Sequence, residues 1–304
     1  MSTIEKAMDK LGQHGNAADQ TPAQGPGTTL EQSEHEELTE QQALGGSVHG
    51  AADEEAGDEI RTVHLDFSRF PNSTVIDPRA EHTGSLAEEF RQIKRPLLTN
   101  VQGRGATLVE NPNLIMVTSS LAGEGKTFTT INLALSIATE LDKTVLLADA
   151  DVAKPDVAAM LGVRAEKGLI DVLLEDVRLQ DVLLRTDVPN LTLLPAGRRH
   201  PHATELLASE SMRLLAQELS TRYSDRIIIF DSPPLLLTSE ARVLAGLMGQ
   251  IVLVVEESRT LQPVVKEALS MLDSSEIVGL VLNKKRALGA GDYYGGYGYY
   301  GYGR

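Results

Sequence analysis

The sequence of 304 residues predicts a doubly wound α/β domain built on a mostly parallel sheet. Three observations carry that prediction. From Leu114 onward, runs that are apolar at consecutive positions (LIMVT, TVLLAD, LTLLP, IIIFD, IVLVV and VGLVL) recur along the chain, and strands buried on both faces read this way, whereas half-exposed strands alternate. The runs are separated by segments of helical length, which a parallel crossover needs. Finally, a glycine-rich turn follows LIMVT and acidic residues end TVLLAD and IIIFD, at the strand ends where open parallel sheets bind ligands.

The elements follow in order. A helix is expected over SLAEEFRQIKRPLLTN, with Ser85 as N-cap and Glu88 closing a capping box. Further helices are expected over 126–140, near 156–161, and over 204–222, 240–247 and 262–273. Residues 1–60 carry 13 acidic residues against 2 lysines, a net of −11 in a chain whose total is −15. They lack aromatics and are read as a disordered acidic region with a short helix at 30–44. Residues 61–84, with two phenylalanines, read as a linker that docks on the domain, and 85–288 as the domain itself. In the tail, 289–304, fall six of the seven tyrosines: Tyr293, Tyr294, Tyr297, Tyr299, Tyr300 and Tyr302.

Composition excludes several chemistries. There is no cysteine, which removes disulfides, thiolate metal sites and thiol nucleophiles. The strong negative charge argues against nucleic acid as a partner, because phosphate neutralisation needs a basic face. No apolar run reaches the roughly 18 residues of a membrane span, and the N-terminus, with Glu5 and Asp9, does not read as a secretory signal. The expectation is a cytoplasmic protein whose membrane association, if any, runs through another chain.

Ser120 to Thr127 (SLAGEGKT) lies between an apolar strand and a helical pattern, the context a phosphate-binding P-loop requires. Gly123 and Gly125 let backbone N–H groups curl around phosphate oxygens, Lys126 reaches the β and γ phosphates, and Thr127 ligates magnesium. Ser120 replaces the first glycine of the strict pattern. Asp149, Asp151 and Asp231 close two other strands, so all three carboxylates are expected to converge on the loop. ATP and Mg2+ are the implied ligands.

With these residues in hand, the sequence resembles the bacterial tyrosine autokinases of exopolysaccharide synthesis and export, closest to the exosortase-associated subtype. The resemblance rests on SSLAGEGKT, VLLADAD, IIIFDSPP and the C-terminal tyrosine cluster, and covers residues 85–304. It implies that the loop from Gly123 through Glu124 and Gly125 to Phe128 holds the nucleotide. Asp151 and Asp231 would organise the metal through its waters, Asp149 would meet the incoming tyrosine hydroxyl, and Asn283 would sit where relatives read adenine. The tail tyrosines would be the phosphoacceptors, modified in trans. Glu88, Arg91 and Lys94 resemble an E-x-x-R-x-x-R oligomerisation motif with lysine in the last place, so a homo-oligomer such as a ring is implied, together with a membrane polysaccharide co-polymerase as activator. The family's arginine after the second Asp is missing; Ala153 stands there, beside Lys154.

Two alternatives compete. Partition and septum-positioning ATPases share this sheet but carry a second lysine where this chain has Leu121, and the tyrosine tail has no role in them. An ATP-binding scaffold for export is the other. A eukaryotic-type kinase is excluded, since no H-R-D, D-F-G or A-P-E run occurs.

Overall fold

The computed structural model describes residues 62–70, 74–80, 84–105, 109–222, 225–272 and 277–285. The expected helix at 30–44 and the tail tyrosines lie outside them. All the described residues belong to one compact unit, Gly57–Arg304.

The eight strands of its sheet are β1 (Thr62–Val63), β2 (Leu114–Ser119), β3 (Thr144–Asp149), β4 (Leu184–Thr186), β5 (Leu191–Leu194), β6 (Arg226–Asp231), β7 (Gln250–Glu256) and β8 (Ile277–Asn283). They lie in the order β1-β4-β5-β3-β6-β2-β7-β8. Every pairing is parallel except β4 with β5. The doubly wound, mostly parallel sheet read from the sequence is therefore the observed fold. Burial on both faces explains the unbroken apolar runs of β2, β3, β6 and β7, whereas VGLVL lies in the edge strand β8, where Leu280 and Leu282 remain exposed. Leu114, Met116, Leu146, Ala148, Ile228 and Phe230 enter one core, while their neighbours Ile115, Val117, Val145, Leu147, Ile227 and Ile229 enter the other. Strand β4 carries no such run; its residues are only partly buried, which is why it was not anticipated.

The helices are α1 (Ser85–Val101), α2 (Lys126–Ala138), α3 (Val157–Met160), α4 (Leu169–Leu173), α5 (Leu179–Val182), α6 (Ala203–Leu207), α7 (Glu210–Arg222), α8 (Ser239–Ala245) and α9 (Gln262–Leu269). The helix expected over 204–222 is two helices. Ser209 restarts it, its hydroxyl accepting the Met212 amide at 3.3 Å. The capping box at Ser85 does not form: Gly84 is the N-cap, without a side-chain bond, and the Glu88 carboxylate pairs with Arg91 instead. The chain enters α1 one residue early, which moves Ser85 out of the capping position.

Residues 62–70 and 74–80, read as a linker, are seated on the domain. Strand β1 extends the sheet beside β4, and Leu65, Phe70 and Ile76 are buried in the core that covers α2. Arg79 lies over the Phe67 ring and pairs with Asp187 at 2.6 Å. The amide of Ile76 donates to Asn132 of α2 at 2.8 Å.

Helix α1 buries Phe90, Lys94 and Leu97, which lie at i, i+4 and i+7 on one face. Lys94, expected in an intermolecular contact, turns inward and is 5% exposed. Its ammonium donates to the Ser136 carbonyl at 2.5 Å and the Thr139 hydroxyl at 3.1 Å, and pairs with Glu140 at 2.6 Å. A cation at the C-terminal turn of a helix meets unpaired carbonyls and the negative end of its dipole. Helix α2 has no basic residue of its own there. Lys94→Met is expected to destabilise the protein by about 1.5–3 kcal/mol, the scale of hydrogen bonds from a charged group, while Arg91→Ala at the surface shifts it by less than about 0.5 kcal/mol. Urea unfolding of the two variants checks this, and equal effects would mean that Lys94 does not hold α2.

Candidate functional site at the carboxyl edge of the sheet

Strand β2 lies between β6 and β7. The chain leaves β2 through α2 toward β3 on one side, and leaves β6 through α8 toward β7 on the other, so the connections diverge at the β6/β2 boundary. Crevices for ligands open at such switch points. The turn Ser120–Gly125 fills this one and runs into α2 at Lys126. Gly123 and Gly125 adopt φ of 85° and 94°, which favours glycine. A side chain at Gly125 would also strike the amide of Asn283.

The loop is pinned from its own side chains and from outside. Glu124 is buried; its carboxylate accepts the Leu121 amide at 2.7 Å and the Thr260 hydroxyl. The Leu235 amide bonds the Ser119 carbonyl at 2.8 Å, which ties the Asp231-Ser232-Pro233-Pro234 turn to the loop entry. Ser120 buries its hydroxyl without a partner among the described residues.

Lys126 reaches back from the start of α2 between two strand ends. Its ammonium lies 2.7 Å from Asp151 and 3.2 Å from Asp231. The second carboxylate also accepts the Thr127 hydroxyl at 2.7 Å and the Thr130 hydroxyl at 2.9 Å. Lys126, Thr127, Asp151 and Asp231, all expected at the site, are thus one cluster. Asp149 lies opposite Asp231 in the β3/β6 register but is 1% exposed. Its two oxygens accept backbone N–H groups, from Asp151 at 3.2 Å and from Val157, the first residue of α3, at 3.1 Å. In this structure Asp149 shapes the Asp149–Asp151 turn. Lys154 points outward to Asp156.

The AAA domain family matches residues 113–264. The chain is 32% identical over 217 residues to Tyrosine-protein kinase YwqD of Bacillus subtilis, covering 71% of this chain and 86% of that one. It is 30% identical over 230 residues to Tyrosine-protein kinase CpsD of Streptococcus agalactiae, covering 75% and 95%. Among solved structures, the kinase domain of the Escherichia coli tyrosine kinase ETK is similar with a TM-score of 0.62 at 27% identity, covering 79% of this chain and 88% of that one. The chain belongs to the bacterial tyrosine autokinases. It is a protein-tyrosine kinase with a P-loop domain, and the resemblance read from its motifs is confirmed at the level of the family. Among the described residues no helix is long and apolar enough to cross a membrane.

In this kinase the site is costly to bury. Desolvation pushes the Asp149 carboxyl well above its ordinary range, and the charge of Asp231 adds to it, against the Val157 amide and Lys126. Burial also raises Asp231, although Lys126, Thr127 and Thr130 all favour its ionised form. For Lys126, burial works against the ammonium, but Asp231 and Asp151 outweigh it and hold the group charged.

Several partners were not legible in the sequence. Lys284 belongs to no motif, yet its ammonium donates to the Gly123 carbonyl at 2.5 Å and pairs with Glu256 at 3.1 Å. Asn283 donates to the Glu124 carbonyl at 2.9 Å. Phe128, expected beside the nucleotide, meets Phe90 of α1 edge to face, with ring centroids 6.4 Å apart. Thr130 and Thr260 carry no motif; only a helical wheel placing Thr130 one turn after Lys126 hints at the former.

A carboxyl whose pKa is raised on folding binds protons more tightly in the native state, so it lowers stability as pH rises from the ordinary carboxylate value through the folded one. Thermal unfolding of nucleotide-free protein is therefore expected to show wild type losing stability relative to Asp149→Asn as pH is raised from about 4 toward neutrality. A difference with the opposite slope would mean that Asp149 is not held buried and hard to ionise.

Proposed function

We propose that this kinase transfers the γ-phosphoryl group of Mg·ATP to its own tail tyrosines, Tyr293 to Tyr302, on a neighbouring copy, and that this cycle regulates exopolysaccharide synthesis and export. The observation that carries the reading is the placement of Lys126 between Asp151 and Asp231, at the foot of a loop whose Glu124 and Gly125 amides donate to no group of the described chain. Two adjacent unspent N–H donors beside an ammonium suit a polyphosphate. Drawing Lys126 toward the β and γ phosphates leaves Asp151, Asp231 and the Thr127 hydroxyl, an all-oxygen set of the kind that hard Mg2+ prefers. Bound there, the ion would neutralise charge on the phosphates.

Phosphoryl transfer passes through a loose transition state, so the chain's part is chiefly to position and neutralise. Lys126 supplies charge where it develops. The Asp149 carboxylate would orient the tyrosine hydroxyl and take its proton late, since an aspartate cannot deprotonate a phenol of pKa about 10 beforehand. Asn283 commits its amide N–H to Glu124, which leaves Oδ1 to accept from the amino group of adenine; guanine presents a carbonyl oxygen there.

The acceptor is proposed to come from another molecule. Tyr302 lies 14 residues beyond Leu288, and a flexible chain of that length would span about 20 Å, enough for a neighbour aligned through the surface pair Glu88–Arg91. A membrane polysaccharide co-polymerase is the proposed activator, which would bring the kinase to the inner face of the membrane. Each phosphotyrosine adds about −1.5 to −2 charges, so six would add roughly −9 to −12 to a chain at −15 and oppose renewed docking.

Lys126→Met is expected to abolish tail phosphorylation. Asp149→Asn is expected to lose transfer while keeping ATP affinity within about threefold, and an affinity loss as large as the rate loss would move Asp149 to metal binding. Mixing Lys126→Met with an active chain lacking residues 289–304 and labelled ATP tests transfer in trans: label must appear on the inactive chain's tail. Its absence there, with wild-type tails labelled, overturns the intermolecular cycle.

A further inference from the structure

We propose that Lys284, together with Asn283, is a positioning residue for the nucleotide phosphates that acts through the peptide groups of the P-loop without touching the phosphates. The inference rests on reading the loop as the triphosphate site.

The Gly123 carbonyl and the Glu124 N–H belong to one peptide group; the Glu124 carbonyl and the Gly125 N–H belong to the next. Lys284 donates to the first carbonyl at 2.5 Å and Asn283 to the second at 2.9 Å. The N–H groups on the far side of these two units are the ones left without a partner in the described chain. A donor on the carbonyl of an amide polarises it and strengthens the N–H as a donor. It also resists rotation of the peptide plane, and here that matters, because the flanking Gly123 and Gly125 sit at positive φ and offer little steric resistance of their own.

Lys284 is itself held for this task. Its backbone adopts φ 58°, a conformation that costs a non-glycine residue energy and persists only where the surroundings impose it. Asn283 is the last residue of β8, and its carbonyl accepts the Glu257 amide at 2.9 Å. Glu256 at the end of β7 pairs with the Lys284 ammonium at 3.1 Å, and that ammonium is the first cause of the lowered Glu256 pKa. Two neighbouring strand ends thus carry the ammonium to the rim of the loop. On the side of the carbonyls it lies away from the N–H groups, so it acts on their orientation and polarity.

The test separates phosphate recognition from folding and from base recognition. Binding of Mg·ADP to the full chain is measured by titration, with adenosine, which has no phosphate, as competitor. Lys284→Met is expected to weaken ADP about tenfold, the size of one charge-assisted hydrogen bond, and to leave adenosine unchanged. Lys284→Arg is expected to restore most of the affinity. Glu256→Gln, which releases the lysine without removing it, is expected to weaken ADP several-fold. Unchanged ADP affinity in Lys284→Met overturns the proposal even if its Tm falls, and so does an equal loss for ADP and adenosine. Wild-type protein that binds no ADP would instead sink the triphosphate reading of the loop. Because the readout is binding, loss of tyrosine kinase activity for other reasons does not enter.

Discussion

The ammonium of Lys126 between Asp151 and Asp231 is the interaction on which the rest of the site depends. A parallel sheet ends its strands at one edge, and here β3 and β6 run in register so that Asp149 and Asp231 meet side by side. Carboxylates buried at that spacing cannot stay charged without a cation. The lysine at the first turn of α2 provides one to Asp231 and Asp151, and the hydroxyls of Thr127 and Thr130 also donate to Asp231. The arrangement is balanced yet not self-sufficient. Under the proposed function a polyphosphate would compete for the lysine, and a divalent ion would take its place among the acids.

Helix α2 transmits this constraint outward. Its first turn holds the charged cluster, its middle accepts the Ile76 amide through Asn132, and its last turn is closed by Lys94 from α1. The segment preceding the domain and the helix bearing Glu88 and Arg91 therefore both rest on the element that carries the phosphate loop. Helix α1 is thereby packed on a helix whose first residue is Lys126. The packing is tight along that path, which is the condition for a small displacement to be passed on instead of absorbed.

The outer rim of the loop has a second anchorage at the ends of β7 and β8. Thr260 holds the Glu124 carboxylate, while Asn283 and Lys284 hold the adjacent carbonyls. Glycines make the loop able to wrap an anion, and the same freedom makes it liable to deform. Fixing its carbonyls from a neighbouring strand pair would, under the proposal above, keep the N–H groups preorganised, so that binding an anion requires less ordering.

Local sequence by itself determined the sheet and the phosphate loop. Apolar runs at consecutive positions can be buried only between two covered faces, and GEGKT between a strand and a helix has few other uses, so LIMVT with its glycine turn, and TVLLAD and IIIFD with their terminal acids, were legible from residue types alone. The tertiary structure decided what each polar group meets. Glu88 closes on Arg91 instead of a cap, Lys94 turns from the surface to the end of α2, Asp149 spends its oxygens on backbone amides, and Lys284, though still exposed, reaches the Gly123 carbonyl. The physical reason is range. Hydrophobic periodicity and glycine conformation are set by near neighbours, whereas the partner of a long charged side chain is chosen among groups brought close by the fold, such as residue 123 for residue 284, which no local pattern encodes.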